Sequence, residues 1–289
     1  MLIVIPKRTR KIGAIEVKRL LPYSKYRSVG PFIFFDHFGP VAMTKQVDIL
    51  PHPHIGLATI TYLFQGKLIH RDSLGSKQLI EPGQINLMSA GKGIVHSERV
   101  PFVLENEKLA GVQIWLALPE NYEDSEPFFH HYDCLPELKA EDINLKVLMG
   151  RFFDLRSPVE SFSSDALYLD CCLSANTKLE LCEKIEELGV YILFGEVQIG
   201  QSVFSENTMI VCSNYKEIVI SATKTSRVLI VGGSRLGKPR YMWWNFVSTS
   251  KDKIEEAKRK WERQEFPLIP DDNKEYIPLP SSFEQVPPL

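Results

Sequence analysis

Four side chains in two short segments have the types and spacing of a metal site. A Pro-His-Pro-His run ends at His54, and a Gly-Lys-Gly-Ile-Val-His-Ser-Glu run ends at Glu98. In extended backbone, residues i and i+2 point to the same face, so His52 and His54 can converge on one point, as can His96 and Glu98. Two such strands inside a β-barrel predict a cluster of three histidines and one glutamate.

A mixed set of imidazoles and a carboxylate suits iron, nickel, copper or manganese. Four protein ligands on an octahedral metal leave two positions for water, dioxygen or a bidentate substrate. A structural zinc site more often uses thiolates and is closed, and the five cysteines include no Cys-x-x-Cys pair. The sequence therefore predicts one open, mononuclear metal site. Residue chemistry alone leaves open the alternative of two unrelated polar clusters at strand ends.

The histidines are confined to the first 131 residues, so a histidine-based metal site must lie in the N-terminal half. They are His37, His52, His54, His70, His96, His130 and His131. His70 either lines the mouth of a cavity or forms a structural cross-strand pair, and the structural role is favoured for it and for His37. The adjacent pair at 130 and 131 must face opposite ways in a strand. Gln84 and Gln113 could contact a substrate or support the ligands.

Most of the chain consists of short β-branched and aromatic runs that end at glycine or proline. Leu57 to Phe64 is such a run, followed by a turn at Gln65 and Gly66. The pattern predicts an all-β fold with two domains, residues 1–125 and 126–289. Residues 119–140, which carry three prolines, are predicted to form a linker or a crossover strand.

One helix is predicted, over residues 251–264, and it is assigned to the second domain. Its apolar positions Ile254, Ala257 and Trp261 recur at helical spacing, and Thr249 to Asp252 matches a capping box. The proline-rich tail after Phe266 should be extended and wrap over the other domain or a partner subunit.

Composition narrows the class of protein. The chain has 34 Lys and Arg against 36 Asp and Glu. Because this charge is nearly balanced, the chain is not expected to bind nucleic acid directly. No secretory signal or membrane-spanning run is present, which predicts a cytoplasmic protein that does not bind membranes. The basic run from Lys7 to Lys11 could be an import signal or a phosphate-contacting patch, but solvated charge on an early strand or loop is favoured. No repeat or heptad indicates assembly, so a monomer is expected.

Several longer motifs resemble those of the pirins, a branch of the cupin superfamily. They are Val29-Gly-Pro-Phe-Ile-Phe-Phe-Asp-His-Phe-Gly39, Pro51-His-Pro-His-Ile-Gly56, His70-Arg-Asp-Ser-Leu-Gly75, Pro82-Gly83, Ala90-Gly-Lys-Gly-Ile-Val-His-Ser-Glu98 and Gly111-Val-Gln-Ile-Trp115. The resemblance runs from about residue 10 to the tail and is more specific in the first half. It implies a bicupin of two β-barrels with a short C-terminal helix. It also implies one metal, usually Fe(II), held in the N-terminal barrel by His52, His54, His96 and Glu98.

The resemblance implies two alternative functions. Some pirins oxidise flavonols such as quercetin with dioxygen, cleaving the heterocycle and releasing carbon monoxide; here Glu98 would be both a metal ligand and the catalytic base. Other pirins are iron-binding transcription cofactors that act through a protein partner. The sequence departs from the broader cupin pattern, because Ala58 and Thr59 stand where a ligating glutamate usually follows the histidine pair. The dioxygenase is the preferred prediction.

Overall fold

A computed structural model describes residues 2–101, 104–163, 165–181, 185–213 and 217–281 of the 289-residue chain. The chain divides into two compact units. The histidine-bearing unit comprises Thr9–Val17, Phe34–Asp133 and Gly237–Leu289, and the histidine-free unit comprises Met1–Arg8, Lys18–Ile33 and Cys134–Leu236. The units are therefore not contiguous in sequence, whereas the predicted domain boundary at residues 125 and 126 is linear and stays a prediction. The change of unit at residue 134 falls inside the segment predicted as a linker or crossover strand.

Strands make up nearly all of the regular structure, which confirms the predicted all-β class. In chain order they are β1 (Leu2–Pro6), β2 (Arg8–Ile12), β3 (Ile15–Leu21), β4 (Phe32–Met43), β5 (Ile49–His54), β6 (Leu57–Gln65), β7 (Leu68–Asp72), β8 (Lys77–Ile80), β9 (Ile85–Ser89), β10 (Ile94–Arg99), β11 (Leu104–Ala117), β12 (Phe128–Tyr132), β13 (Glu137–Lys139), β14 (Ile143–Met149), β15 (Arg151–Phe152), β16 (Leu155–Arg156), β17 (Leu167–Leu173), β18 (Lys178–Leu181), β19 (Glu187–Phe194), β20 (Glu196–Ile199), β21 (Ser202–Ser205), β22 (Thr208–Ser213), β23 (Ile218–Ala222), β24 (Ser226–Gly233), β25 (Tyr241–Trp243) and β26 (Phe246–Ser248). Short 3-10 turns occur at Lys45–Val47 and Glu120–Tyr122.

The histidine-bearing unit is built on two antiparallel sheets. The larger has the order β12-β9-β6-β11-β4-β3-β2, and the smaller has the order β5-β10-β7-β8. Strand β6 is buried along almost its whole length and lies between β9 and β11, as its apolar, β-branched sequence predicts. The smaller sheet is the element that positions the histidine pairs, because β5 and β10 are hydrogen-bonded neighbours.

The histidine-free unit has the same plan. Its larger sheet has the order β1-β22-β19-β24-β17-β14-β13, and its smaller sheet has the order β18-β23-β20-β21. The two sheets enclose one apolar cluster that includes Leu169, Val190, Ile210 and Ile230, all fully buried. Strand β18 alternates exposed and buried residues, which is the pattern of a sheet with one face on such a core.

The single α-helix among the described residues, α1, spans Lys251–Glu262 and confirms the predicted helix to within two residues. Ile254, Ala257 and Trp261 are its buried face, as predicted. The predicted capping box is wrong: the N-cap is Ser250, and no side chain caps the helix. The hydroxyl of Thr249 instead donates to the buried carboxylate of Glu123 at 3.1 Å.

Both the helix and the tail belong to the histidine-bearing unit. The described part of the tail, residues 263–281, forms turns and irregular backbone without a strand. The last two prolines, Pro287 and Pro288, lie outside the described residues.

The N-terminal basic run continues from β1 into β2. The guanidinium of Arg8 donates to the carbonyl of Leu20 at 3.0 Å and lies over the ring of Tyr23. Lys7, Arg10 and Lys11 extend into solvent, which favours solvated charge on an early strand. Among the described residues, no helix combines the length and the apolar character that crossing a membrane requires.

Candidate metal centre

Strands β5 and β10 bring three imidazoles together. In their antiparallel register His52 lies opposite His96, and His54 lies opposite Ile94. The ring centroids are 4.4 Å apart for His52 and His96, 4.9 Å for His54 and His96, and 5.0 Å for His52 and His54. One nitrogen from each ring lies within 4.8 Å of the other two, as a shared metal ion requires. The structure thus brings together three of the four residues that were predicted to converge from the alternation of side chains along a strand.

Glycines shape the turn that leads into β10. Gly91 has φ +46° and Gly93 has φ +151°, both in the region that favours glycine. A Cβ at Gly91 would lie 2.1 Å from the carbonyl oxygen of Ser125, and one at Gly93 would lie 2.9 Å from the ring of Phe266. The Gly-x-Gly pair is therefore a tight turn in close contact with its surroundings, which fixes where β10 begins.

The three imidazoles have the protonation state and the free nitrogens that a metal needs. His52, His54 and His96 are buried, with exposed fractions of 7%, 1% and 2%. Burial lowers the pKa of His52 to about 4 and lowers the pKa values of the other two well below the ordinary range, with mutual repulsion adding to the effect. Within the described part of the chain, neither ring nitrogen of His54 or His96 has a hydrogen-bond partner of normal geometry. Buried polar atoms without partners are costly, and a shared cation would satisfy them.

His52 is oriented by the backbone. Its Nδ1 donates to the carbonyl oxygen of Leu50 at 2.8 Å, which leaves Nε2 as the unprotonated nitrogen. A hydrogen bond from the other ring nitrogen to a carbonyl is the usual way in which a metal-binding histidine is held. The donor set therefore fits a single transition-metal ion.

Glu98 lies beside the cluster but outside the group of nitrogens that meet within 4.8 Å. The pairing of β10 with β5 shifts register between His96 and Glu98, and Glu98 lies across from His70 on β7. Its Oε1 is 3.0 Å from the hydroxyl of Thr61, which is also 2.9 Å from the Oε1 of Gln113. Burial raises the pKa of Glu98, partly offset by His70 and Thr61. Its role as a ligand stays a prediction.

His70 lies closer to the cluster than its favoured structural role implied. Its ring centroid is 5.3 Å from that of His96, and its face stacks on Phe129 at 4.1 Å. Its Nε2 is 2.9 Å from Asp72, which is fully buried. This hydrogen-bond partner lies two residues along the same strand, and the residue across from His70 on β10 is Glu98, so the structural role of His70 as a cross-strand pair stays a prediction. The sequence contained a signal for this contact, because His70 and Asp72 are two residues apart, as are His52 and His54.

Asp72 holds both the side chain of His70 and the turn that follows β7. Its Oδ1 accepts the amides of Leu74 and Ser76 at 2.9 and 3.0 Å. Burial acts to raise the pKa of Asp72, but the hydrogen bonds from His70 and the turn outweigh it, and the pKa is lowered. The carboxylate is therefore charged at neutral pH and holds His70 in one orientation.

The remaining candidates lie outside the cluster. His37 meets the ring of Phe64 edge-on at 6.1 Å, consistent with a packing role. His130 and His131 belong to β12, and the Nδ1 of His131 is 2.7 Å from Asn86. The Oε1 of Gln84 accepts the amide of Glu81 and closes a turn.

Aromatic rings and a separate cavity border the centre. Trp115 meets His54 edge-on at 5.3 Å and stacks on Phe34. A cavity of about 340 Å³ lies along helix α1, between it and the residues that follow β5, and the three imidazoles do not line it. As a residue Glu98 is half-buried, whereas the three histidines are buried.

Family models, sequence relatives and solved structures all show similarity to known proteins over most of the chain. The Pirin family model matches residues 14–116, and the model of the Pirin C-terminal cupin domain matches residues 168–267. A Pirin-like protein of Caulobacter vibrioides is 38% identical over 286 residues, which cover 96% of this chain and 99% of the relative. A Pseudomonas aeruginosa protein provisionally named a quercetin 2,3-dioxygenase is 36% identical over 86% of this chain and 80% of its own. The crystal structure of a quercetin 2,3-dioxygenase from Acinetobacter baumannii has a TM-score of 0.90 and 34% identity, covering 99% of this chain and 97% of that one. The predicted bicupin fold is confirmed.

Proposed function

Because the chain belongs to the pirin family, we propose that it is an iron-dependent dioxygenase that opens the heterocycle of quercetin-like flavonols with O2. The observation that carries the proposal is the group of three buried, neutral imidazoles whose nitrogens converge. The names of the Acinetobacter and Pseudomonas relatives support the reaction class. In the proposed reaction both atoms of O2 enter the products, and one carbon of the substrate leaves as carbon monoxide.

His52, His54 and His96 would hold the metal, and Glu98 would complete the set. When bound, the metal would supply a Lewis acid and a centre for dioxygen chemistry. The chain contributes a dry, preset group of neutral donors, since burial keeps the imidazoles unprotonated at neutral pH.

Glu98 is proposed to take the proton of the flavonol hydroxyl, so that the substrate reacts as an anion. A buried carboxylate with a raised pKa is a stronger base than one in water, which suits this step. The single proton of the Thr61 hydroxyl can be donated to Glu98 or to Gln113, but not to both. Donation to Gln113 would leave Glu98 free to hold the substrate proton.

The substrate is proposed to approach on the side of Glu98. The half-buried ring of Phe129, stacked on His70 beside His96, offers a flat apolar surface to a planar flavonol. The cytoplasmic location and the monomeric state stay predictions, as does a protein partner.

The test is oxygen uptake with quercetin by protein loaded anaerobically with Fe(II), with carbon monoxide measured in parallel. His96→Ala should abolish both signals, while His130→Ala, which alters an exposed histidine outside the cluster, should leave them unchanged. Iron-loaded protein that consumes no oxygen would rule out the flavonol reaction and favour the iron-binding regulator.

A second variant tests the role of Glu98. Glu98→Gln keeps the size of the side chain and loses the base, so turnover should fall by about 100-fold or more. Full turnover by a metal-loaded Glu98→Gln protein would remove Glu98 from the mechanism and leave the three histidines in place.

A further inference from the structure

The tail forms a strap across the outside of the metal-binding strands. This C-terminal strap (residues 263–281) reaches β10 at Asp272. The Oδ2 of Asp272 accepts the hydroxyl of Ser97 at 2.7 Å and the Nε of Arg99 at 3.0 Å, and its Oδ1 accepts a second guanidinium nitrogen at 2.7 Å. One carboxylate therefore binds the residues on both sides of Glu98.

Arg99 extends the contact to the start of β5. Its guanidinium lies 3.4 Å from Asp48, whose other carboxylate oxygen accepts the amide of Val100 at 2.8 Å. Ser97 is fully buried, and Arg99 and Asp272 are only 16% and 13% exposed. Charge-assisted, two-point hydrogen bonds at partly buried positions are stronger and more directional than surface ion pairs.

The strap also touches β5 and the turn before β10. The amide of Ile277 donates to the carbonyl of Pro51, the residue before His52, at 2.9 Å. The indole of Trp261 donates to the carbonyl of Ile277 at 2.9 Å, which ties this end of the strap to helix α1. Phe266 packs against Gly93 so closely that no Cβ fits between them.

These contacts meet the strands where their pairing is irregular. The register of β10 against β5 shifts between His96 and Glu98, and Ser97 is the residue between them. A bulge re-aims the side chains next to it, so its conformation must be held by contacts on the outer face. Asp272 supplies such contacts to Ser97 and Arg99 at once.

We propose that Asp272 is a positioning residue for the metal centre, acting through Ser97 and Arg99 to hold His96 and Glu98 at the spacing a metal requires. The inference rests on the proposed function in one respect, that the centre binds a metal. It makes the affinity and geometry of the centre depend on a strap distant in sequence.

The test uses Co(II), whose visible absorption reports coordination number and geometry, in the full-length metal-free protein. Asp272→Ala should lower Co(II) affinity by about 10-fold or more, the usual effect of losing a group that orients a ligand. The absorption spectrum of the Co(II)-saturated variant should also change. Asp271→Asn is the matched control, because it removes a neighbouring, exposed carboxylate of the same strap, and it should retain wild-type affinity and spectrum.

The outcomes separate the two proposals. Wild-type protein that binds no Co(II) would overturn the metal centre itself. Wild-type binding with an unchanged affinity and spectrum in Asp272→Ala would overturn only the role of the strap, even if the variant unfolds at a lower temperature. Should Asp272→Ala fail to fold, Ser97→Ala removes one of the same hydrogen bonds, and the same spectral change is required of it.

Discussion

The two units share a plan of one seven-stranded and one four-stranded antiparallel sheet, yet their interiors differ in chemistry. The histidine-free unit encloses an apolar cluster in which the only heteroatoms among the described side chains are thiols. The histidine-bearing unit buries His54, His96 and Asp72 on the strands of its small sheet. The comparison shows that this architecture can be filled with aliphatic side chains for stability or left polar for a site.

The difference has an energetic consequence. Burying aliphatic side chains stabilises the folded state, whereas burying imidazoles without hydrogen-bond partners destabilises it until a ligand satisfies them. We therefore expect the metal-free histidine-bearing unit to be the weaker of the two. All four tryptophans, Trp115, Trp243, Trp244 and Trp261, lie in that unit, so tryptophan fluorescence reports on it selectively.

The largest expected effect comes from making the polar interior resemble the aliphatic one. His54→Leu removes a proposed ligand and two nitrogens that lack hydrogen bonds of normal geometry, so Co(II) affinity should fall by more than about 100-fold, beyond the loss of an orienting group. The metal-free variant should gain about 1 kcal/mol in unfolding free energy, because a costly buried polar group is gone. Metal titration and urea unfolding measure the two effects. A variant that binds Co(II) normally would break the comparison.

Acid should destabilise the metal-free protein through the same histidines. The folded pKa of His52 is about 4, below its ordinary value of 6.5, so between these values the unfolded chain binds a proton that the folded chain does not. Stability is therefore complete above about pH 6.5 and falls as the pH drops towards 4, by about 3 kcal/mol for His52. Urea unfolding followed by tryptophan fluorescence at several pH values measures the slope. His52→Gln should make the slope shallower by one proton, because His54 and His96 still contribute, and an unchanged slope would contradict the assignment.

A cavity in the aliphatic interior should affect stability without affecting metal. Leu169→Ala leaves a void in a fully buried position and should cost about 3 kcal/mol of unfolding free energy. Urea unfolding followed by far-ultraviolet circular dichroism measures it, and Co(II) affinity should stay within about 2-fold of wild type. A loss of metal affinity as large as that of a ligand variant would show that the two interiors are not independent.

The smallest expected effect concerns the hydroxyl beside Glu98. Thr61→Val removes a hydrogen bond to the carboxylate of Glu98 with little change of shape. Such a bond contributes about 1 kcal/mol, so Co(II) affinity should fall by about 5-fold. Thr59→Val makes the same change two residues earlier on β6, where the hydroxyl does not donate to Glu98, and should have no effect. Equal losses in the two variants would argue for general packing rather than a contact with Glu98.

Sequence reasoning found the part of the centre that depends on local geometry. His52 and His54 converge because extended backbone alternates, and His96 joins them because β5 and β10 pair. The position of Glu98 depends on a bulge, which is set by contacts distant in the chain and leaves no local signature. His70 comes near the cluster through the strand order β5-β10-β7, which hydrophobic periodicity does not specify.

The helix shows the same limit: local patterns could be predicted from the sequence, and contacts between distant residues could not. The apolar spacing of Ile254, Ala257 and Trp261 predicted α1, because helix period is a local property. The capping box failed because Glu123, far away in sequence, accepts the hydroxyl of Thr249. Helix propensity depends on the local sequence, so it does not predict a hydrogen-bond acceptor that lies far away in the chain.

The pairing of β1 with β22 bears on how the chain folds during synthesis. Leu2 lies opposite Cys212, so β1 has its partner strand more than 200 residues later in the chain. The histidine-bearing unit likewise includes Gly237–Leu289, which follows the Cys134–Leu236 segment of the other unit in the chain. Neither unit can therefore close before its later segments are synthesised, and β1 must remain unpaired with β22 until that strand has been made. Such distant pairing slows folding and leaves an exposed edge to be protected, which makes this chain a candidate for chaperone assistance.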